Sequence, residues 1–243
     1  VPFFPSLNGK ELSYIMDYGD VDALFIGKIE TWDDIKNDLP SEMPIIRFPK
    51  YEGCSNVTKG HEWHEFINSH EPIENPNKPK LSDLWTIIFT SGTTGNPKGV
   101  MLTYQAIDGI KVVLDDPNNP LGIKHTGNND FISYLPLNHI FERVVIEWCS
   151  FRYGGTISFV ESIETFGQNL KEVQPHVFAA APRVWTKLQM GILSKFPQKK
   201  LDTLLKIPLL STILKKLIRK GLGFSRVRVT VSGSAPMPVE LIE

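Results

Sequence analysis

Residues Thr90–Val100, TSGTTGNPKGV, bring three glycines, three threonines, a serine and a lysine into eleven positions. Each type has a use beside an anion. Glycine lets backbone N–H groups turn toward one point and lets an anion come close. Threonine and serine hydroxyls donate to phosphate oxygens or ligate Mg2+. Lys98 is a point charge able to neutralise developing negative charge, and Pro97 stiffens the exit. Read as a link from a strand to a helix, the stretch would also gain the positive helix end. The residues describe a phosphate grip, and the plainer alternative is a flexible surface loop. The spacing is not that of a P-loop NTPase. Counting from Gly92, the second glycine of G-x-x-x-x-G-K-[ST] would fall on Pro97, and Lys98 is followed by Gly99. A G-x-G-x-x-G dinucleotide fingerprint is also missing from this stretch.

The surrounding elements must position those groups. Leu84–Thr90, LWTIIFT, is an apolar run suited to a buried strand, and Thr103–Leu114 places Ala106, Ile107, Ile110, Val113 and Leu114 at helical spacing. Upstream, Asn8 is placed to cap a helix through Tyr18, and Val21–Gly27 and Met43–Phe48 read as short strands. Thr31–Leu39 reads as a helix with Asp34 three residues after a threonine cap. His70–Asp83 is a proline-rich connector and a candidate subdomain boundary. Downstream, strands are expected at Phe131–Leu135, Thr156–Val160, His176–Ala180 and Arg226–Ser232. Helices are expected near Ile140–Phe151, from Ser162 and from Pro182. The alternation predicts an α/β fold, a mostly parallel sheet flanked by helices.

Composition narrows the classes. With 41% hydrophobic and 22% charged residues the 243-residue chain is ordinary for a globular protein. Its 26 basic and 27 acidic residues leave a net charge of -1, so nothing global attracts nucleic acid. Cys54 and Cys149 are far apart and lack a C-x-x-C pattern. They read as reduced thiols, which predicts a cytoplasmic protein.

The Thr90–Val100 stretch resembles the phosphate-binding signature of the adenylate-forming superfamily, which includes acyl-CoA synthetases, peptide-synthetase adenylation domains and luciferases. Other stretches resemble the same proteins. YLPLNHIFERV (Tyr134–Val144) is similar to the LPL-x-H-x-FER segment of long-chain fatty acyl-CoA synthetases. AAPRVWTKL (Ala180–Leu188) is similar to that subfamily's PR-V-aromatic-x-K. VSGSAPM (Val231–Met237) resembles the loop lying against adenine, and Val1–Gly27 resembles the strand–helix–strand before the signature. Lys28–Asp83 contributes little to the likeness.

The resemblance implies two half-reactions. A carboxylate attacks the α-phosphate of ATP, giving acyl-AMP and pyrophosphate; the thiol of CoA then displaces AMP. It implies that Thr90, Ser91, Gly92, Thr93, Thr94 and Gly95 wrap the β- and γ-phosphates with Lys98 beside them. Thr90 would supply an oxygen to Mg2+. His139 maps to the histidine near the acyl carboxylate and α-phosphate; a lone histidine would otherwise read as a core residue or cap. Gly233, Ser234, Ala235 and Pro236 map to the adenine side, where small residues admit a flat base. Glu142 and Arg143 are adjacent, so they point to different faces of a helix, and each reads equally as an ion-pair member or a ligand contact. Arg183 and Trp185 receive no catalytic role.

The leading expectation is therefore the large N-terminal domain, in part, of an ATP-dependent long-chain fatty acid–CoA ligase spanning 1–243. A fatty acyl-AMP ligase or other carboxylate-adenylating enzyme is the near alternative. A non-catalytic nucleotide-binding module is the distant one. The family's YG-x-TE and TGD segments and its small C-terminal domain are not found in these residues. From this follow the expectations of a fragment, of weak nucleotide binding and of no acyl-CoA synthesis by these residues alone. Leu209–Lys220, LLSTILKKLIRK, is amphipathic and basic. A helix packed on the core is favoured for it over a peripheral membrane contact.

Overall fold

The computed structural model describes residues 1–27, 29–49, 57–90, 97–116, 123 and 127–242. The chain divides into one unit of residues 1–109 with 136–138 and a second of residues 110–135 with 139–243.

In the first unit, Asn8 caps α1 (Gly9–Tyr18) through a full capping box: its side chain accepts from the Glu11 N–H, and the Glu11 carboxylate accepts from the Asn8 N–H. Strands β1 (Leu24–Ile26), β2 (Ile45–Arg47) and β3 (His61–Glu62) form a parallel sheet in that order. Leu12, Met16, Leu24, Ile26, Ile35 and Ile45 form its core. Helix α2 (Trp32–Ile35) is a single turn, and Thr31 makes no side-chain cap bond, so the expected cap is not formed. Its hydroxyl is buried without a hydrogen-bond partner among the described residues. The short helix α3 (Trp63–Asn68) was not expected from the sequence. Residues 71–83 run without helix or strand.

The glycine-rich stretch does not join a strand to a helix. Strand β4 (Leu84–Thr90) pairs antiparallel with β5 (Lys98–Thr103), and α4 (Tyr104–Leu114) starts only after β5. The phosphate-grip residues thus lie in the connection of a β-hairpin, and no helix end follows them directly.

The second unit is built on a four-stranded parallel sheet ordered β7 (Thr156–Phe159), β6 (Asp130–Ser133), β8 (Val177–Ala180), β9 (Val229–Ser232). Both faces are covered, and side chains alternate between them as strand geometry requires. Phe131, Val177, Ala179 and Val229 pack on one face with Val145, Ile146 and Cys149; Ile132, Phe178 and Ala180 pack on the other with Leu170 and Phe224. At the amino ends of the strands Arg226 pairs with Asp130 at 2.6 Å, and Arg228 donates to Asn129 Oδ1 at 2.9 Å. These bonds tie the starts of β6 and β9 together at the end away from the motifs.

The helices are α5 (Cys149–Tyr153), which continues a π-helical stretch Glu142–Trp148, then α6 (Phe166–Val173), α7 (Pro182–Leu193), α8 (Gln198–Leu205), α9 (Pro208–Leu222) and α10 (Val239–Ile242). Helix α9 does not bury the apolar face expected of it. Ser211 and Leu214 are its buried residues, whereas Leu209, Leu210, Ile213 and Leu217 are exposed.

Candidate active site

In the first unit, the register of the hairpin sets Thr90 directly opposite Lys98. Ile88 and Phe89 are buried and anchor β4, while Thr90 and Lys98 are exposed at its end. The Thr90 hydroxyl donates to the Lys98 carbonyl at 3.4 Å, a weak bond that an incoming phosphate or cation could replace. Ser91, Gly92, Thr93, Thr94 and Gly95 lie outside the described residues. The described residues on either side of them, Thr90 and Lys98, are partners in the β4–β5 ladder, so a hydroxyl and an ammonium group stand together at the end of the two strands.

No cluster of three acidic, histidine or cysteine side chains suited to a metal occurs among the described residues. Thr90 fits Mg2+ only as a single neutral oxygen donor. Such an ion would take its other oxygens from phosphate and water, which suits Mg2+.

In the second unit, three motifs emerge from the carboxyl ends of adjacent parallel strands. The segment leading to His139 follows β6, Ala181 and Pro182 follow β8, and Gly233–Pro236 follow β9. The chain passes from β6 to β7 on one side, then returns to place β8 on the other. That makes the β6–β8 crevice a topological switch point, where open α/β sheets bind ligands.

His139 is half-buried, and its Nδ1 accepts the Phe141 N–H at 3.3 Å. In the neutral ring this leaves the proton on Nε2. Burial lowers the His139 pKa below its ordinary 6.5. The ring is therefore a neutral Nε2–H donor near pH 7, suited to an oxygen that gains negative charge. The His139 carbonyl accepts from the N–H groups of Glu142 and Arg143 at 3.0 and 3.2 Å. It thereby opens the following helical segment.

Glu142 and Arg143 do part company. Arg143 forms an ion pair with Glu147, Nη1 to Oε2 at 2.6 Å. Glu142 is 2% exposed and turns back toward β6, where its Oε2 accepts the Leu135 N–H at 3.3 Å. Burial pushes its pKa up to about 7, opposed by hydrogen bonds from Ser133 and from the backbone of Leu135 and Tyr134. Tyr134 in turn donates its hydroxyl to the Ala179 carbonyl on β8 at 2.9 Å. Tyr134 and Glu142 thus tie the β6 exit to β8 and to the π-helical stretch. Sequence reasoning gave Tyr134 no role; its signal was a lone tyrosine in a stretch otherwise read for its histidine.

Gly233 follows β9, and Ser234 adopts a left-handed conformation with φ 69°. Ser234, Ala235 and Pro236 are exposed. A Cβ added to Gly233 would stand 2.5 Å from Cε2 and Cζ of Phe141, so the phenyl ring occupies the space a side chain would need. The ring also stands edge-on to His139, centroids 6.1 Å apart. Phe141 therefore links the histidine segment to the glycine turn. Arg183 and Trp185 lie on α7, and Trp185 Nε1 donates to the Ala180 carbonyl at 3.2 Å. That bond gives Trp185 a structural task at the β8 exit.

Comparison with known proteins identifies the family and the fold. The model of the AMP-binding enzyme family matches residues 1–243. Long chain acyl-CoA synthetase 3 of Arabidopsis thaliana is 31% identical, over 99% of this chain and 41% of its own length. Human long-chain-fatty-acid–CoA ligase 1 is 28% identical, over 100% of this chain and 38% of its own. The chain thus spans about two fifths of the length of these curated relatives. Among solved structures, the A-PCP didomain of carboxylic acid reductase from Segniliparus rugosus in complex with AMP superposes with a TM-score of 0.71. It shares 19% identity and covers 99% of this chain and 36% of that one. The anthranilate CoA ligase AuaEII in complex with anthranoyl-AMP gives a TM-score of 0.70 at 16% identity, over 98% and 41%. The α/β fold is that of the large domain of adenylate-forming ligases and luciferases. This chain belongs to the AMP-binding enzyme family.

Proposed function

We propose that this chain is the ATP-handling part of a ligase that converts a long-chain fatty acid to acyl-AMP and then to acyl-CoA. The observation carrying the reading is the pairing of Thr90 with Lys98 at the mouth of the TSGTTGNPK segment. The names of the curated relatives supply the acyl class and the CoA acceptor.

Adenylation puts extra negative charge on a phosphorus already surrounded by oxygens. An enzyme assists it mainly by positioning and charge stabilisation. Lys98, with the amides and hydroxyls of Thr90–Gly95, holds the β- and γ-phosphates so that pyrophosphate leaves in line with the attacking carboxylate. Mg2+, when bound, offsets charge on the same phosphates, with Thr90 giving one oxygen. The neutral His139 donates from Nε2 to an oxygen of the carboxylate or the α-phosphate. The Gly233–Pro236 turn receives the adenine. In the second half-reaction the thiol of CoA forms the thioester bond as the acyl–phosphate bond breaks and AMP leaves.

The test uses a non-hydrolysable acyl sulfamoyl adenosine titrated into the chain. A palmitoyl analogue should bind at least about tenfold more tightly than an acetyl one, because each buried methylene contributes about 0.8 kcal/mol. Equal affinities would remove the long-chain assignment, and failure of both analogues to bind would remove the adenylate site.

A further inference from the structure

Helix α9 is amphipathic, yet its apolar side faces outward. Leu209 is 74% exposed, Leu217 58% and Ile213 50%. The three recur every four residues and lie along one stripe of the helix. Lys216 and Lys220 interleave with that stripe. The preceding helix α8 has no buried residue and brings exposed Lys199 and Lys200, with Lys206 at its exit. One acidic residue, Asp202, stands within Lys199–Lys220.

The inner side of α9 is secured separately. Ser211 and Leu214 are buried, and the helix ends on Gly223 in the left-handed conformation. Arg219 turns back to donate to the carbonyls of Phe224 and Val227 at 3.3 and 2.7 Å. The outward stripe is thus not needed to hold the helix in place.

We propose that α8 and α9 form a docking surface for an anionic lipid bilayer, with α9 lying in the plane of the interface. A leucine and isoleucine stripe edged by lysines meets both requirements of such a surface, apolar area for the acyl boundary and positive charge for the headgroups. The 15 residues of α9 fall short of the roughly 20 needed to span a bilayer. No described helix is long and apolar enough to cross a membrane. The helix therefore lies on the surface rather than through it. A second protein would meet the stripe equally well, but the near-complete exclusion of acidic groups selects the bilayer. The surface is read from α8 and α9 alone and does not depend on the proposed chemistry.

The experiment is flotation of the chain with vesicles of phosphatidylcholine, with and without phosphatidylserine, at low and high salt. The chain should float with the phosphatidylserine vesicles at low salt and be released by salt. The paired change Lys216→Glu with Lys220→Glu should cut binding by at least about tenfold, since each basic group near a charged surface contributes strongly. Leu209→Ser with Leu217→Ser should also cut it. Both pairs are exposed, and an unchanged melting temperature confirms that the fold survives. Failure to float with anionic vesicles overturns the proposal. So does flotation indifferent to both pairs, or sedimentation showing that the chain self-associates through this face instead.

Discussion

The phenyl ring of Phe141 fills the space above Gly233, leaving 2.5 Å between its edge and the position of a side-chain carbon. The two residues lie far apart in sequence, one in the histidine segment after β6 and one in the turn after β9. Glycine at 233 is therefore a packing requirement. The ring cannot retreat freely, because it packs on the core cluster with Val145 and Ile146 and stands edge-on to the His139 imidazole.

Gly233→Ala should displace the ring and weaken adenosine nucleotide binding by about tenfold, with a stability loss of about 1–3 kcal/mol from overpacking. Phe141→Leu added to Gly233→Ala should restore part of the stability. Calorimetric titration with AMP and thermal melts check this. A single variant that binds AMP as tightly as wild type would separate the turn from nucleotide recognition.

Glu142 predicts a pH dependence of stability. Its folded-state pKa is raised from 4.5 to about 7, so the folded chain holds a proton that the unfolded chain releases. The folded state binds more protons between those values, and stability falls as pH rises from 4.5 to about 7. The charged groups bearing on it are the Glu147 carboxylate and, through it, Arg143. Glu142→Gln keeps an oxygen for the Leu135 N–H and removes the titration. It should flatten the profile and stabilise the chain at pH 8 by up to roughly 3 kcal/mol. Urea unfolding across this pH range reads the result; an unaltered slope would mean that Glu142 carries no such proton.

His139 should titrate below 6.5, because burial disfavours its charged form. Following the ring protons of the histidines by NMR, with His139→Gln assigning the signal, measures the midpoint. His139→Ala should weaken the palmitoyl sulfamoyl adenosine complex by about tenfold through loss of one hydrogen bond to a charged oxygen, while AMP affinity changes less. A midpoint at or above 6.5 would contradict the neutral donor.

Much of the fold could be read from local pattern, and the exceptions have physical reasons. The central strands β6 and β8 of the second unit are short apolar runs buried on both faces, and all four strands of that sheet lie within a few residues of where the sequence places them. Asn8 was legible as the cap of α1 by type and place, and the reciprocal bond from Glu11 that completes the capping box emerged only in the structure. Strand β5 is not legible because Val100 and Met101 are exposed, so it lacks the alternation of a half-buried strand, and the helical periodicity of Thr103–Leu114 begins at its last residue. Thr31 has the right residue type for a cap, but a one-turn helix offers little to cap. The stripe on α9 is amphipathic whether it faces a core or the outside, so periodicity cannot assign its partner. In the candidate site the motif residues were legible by type and order. Their mutual support was not, because the contacts of Phe141 with Gly233 and of Glu142 with Leu135 depend on tertiary packing.

The central claim is that the Thr90–Lys98 hairpin grips the polyphosphate tail of ATP, and the most direct measurement compares ATP with AMP on the same chain. Titrations in the presence of Mg2+ should show ATP binding more tightly than AMP. Lys98→Ala should lower ATP affinity about tenfold and leave AMP nearly unchanged, since the lysine charge meets only the terminal phosphates. If Lys98→Ala leaves ATP affinity intact, or weakens both nucleotides equally, the hairpin does not hold the tail.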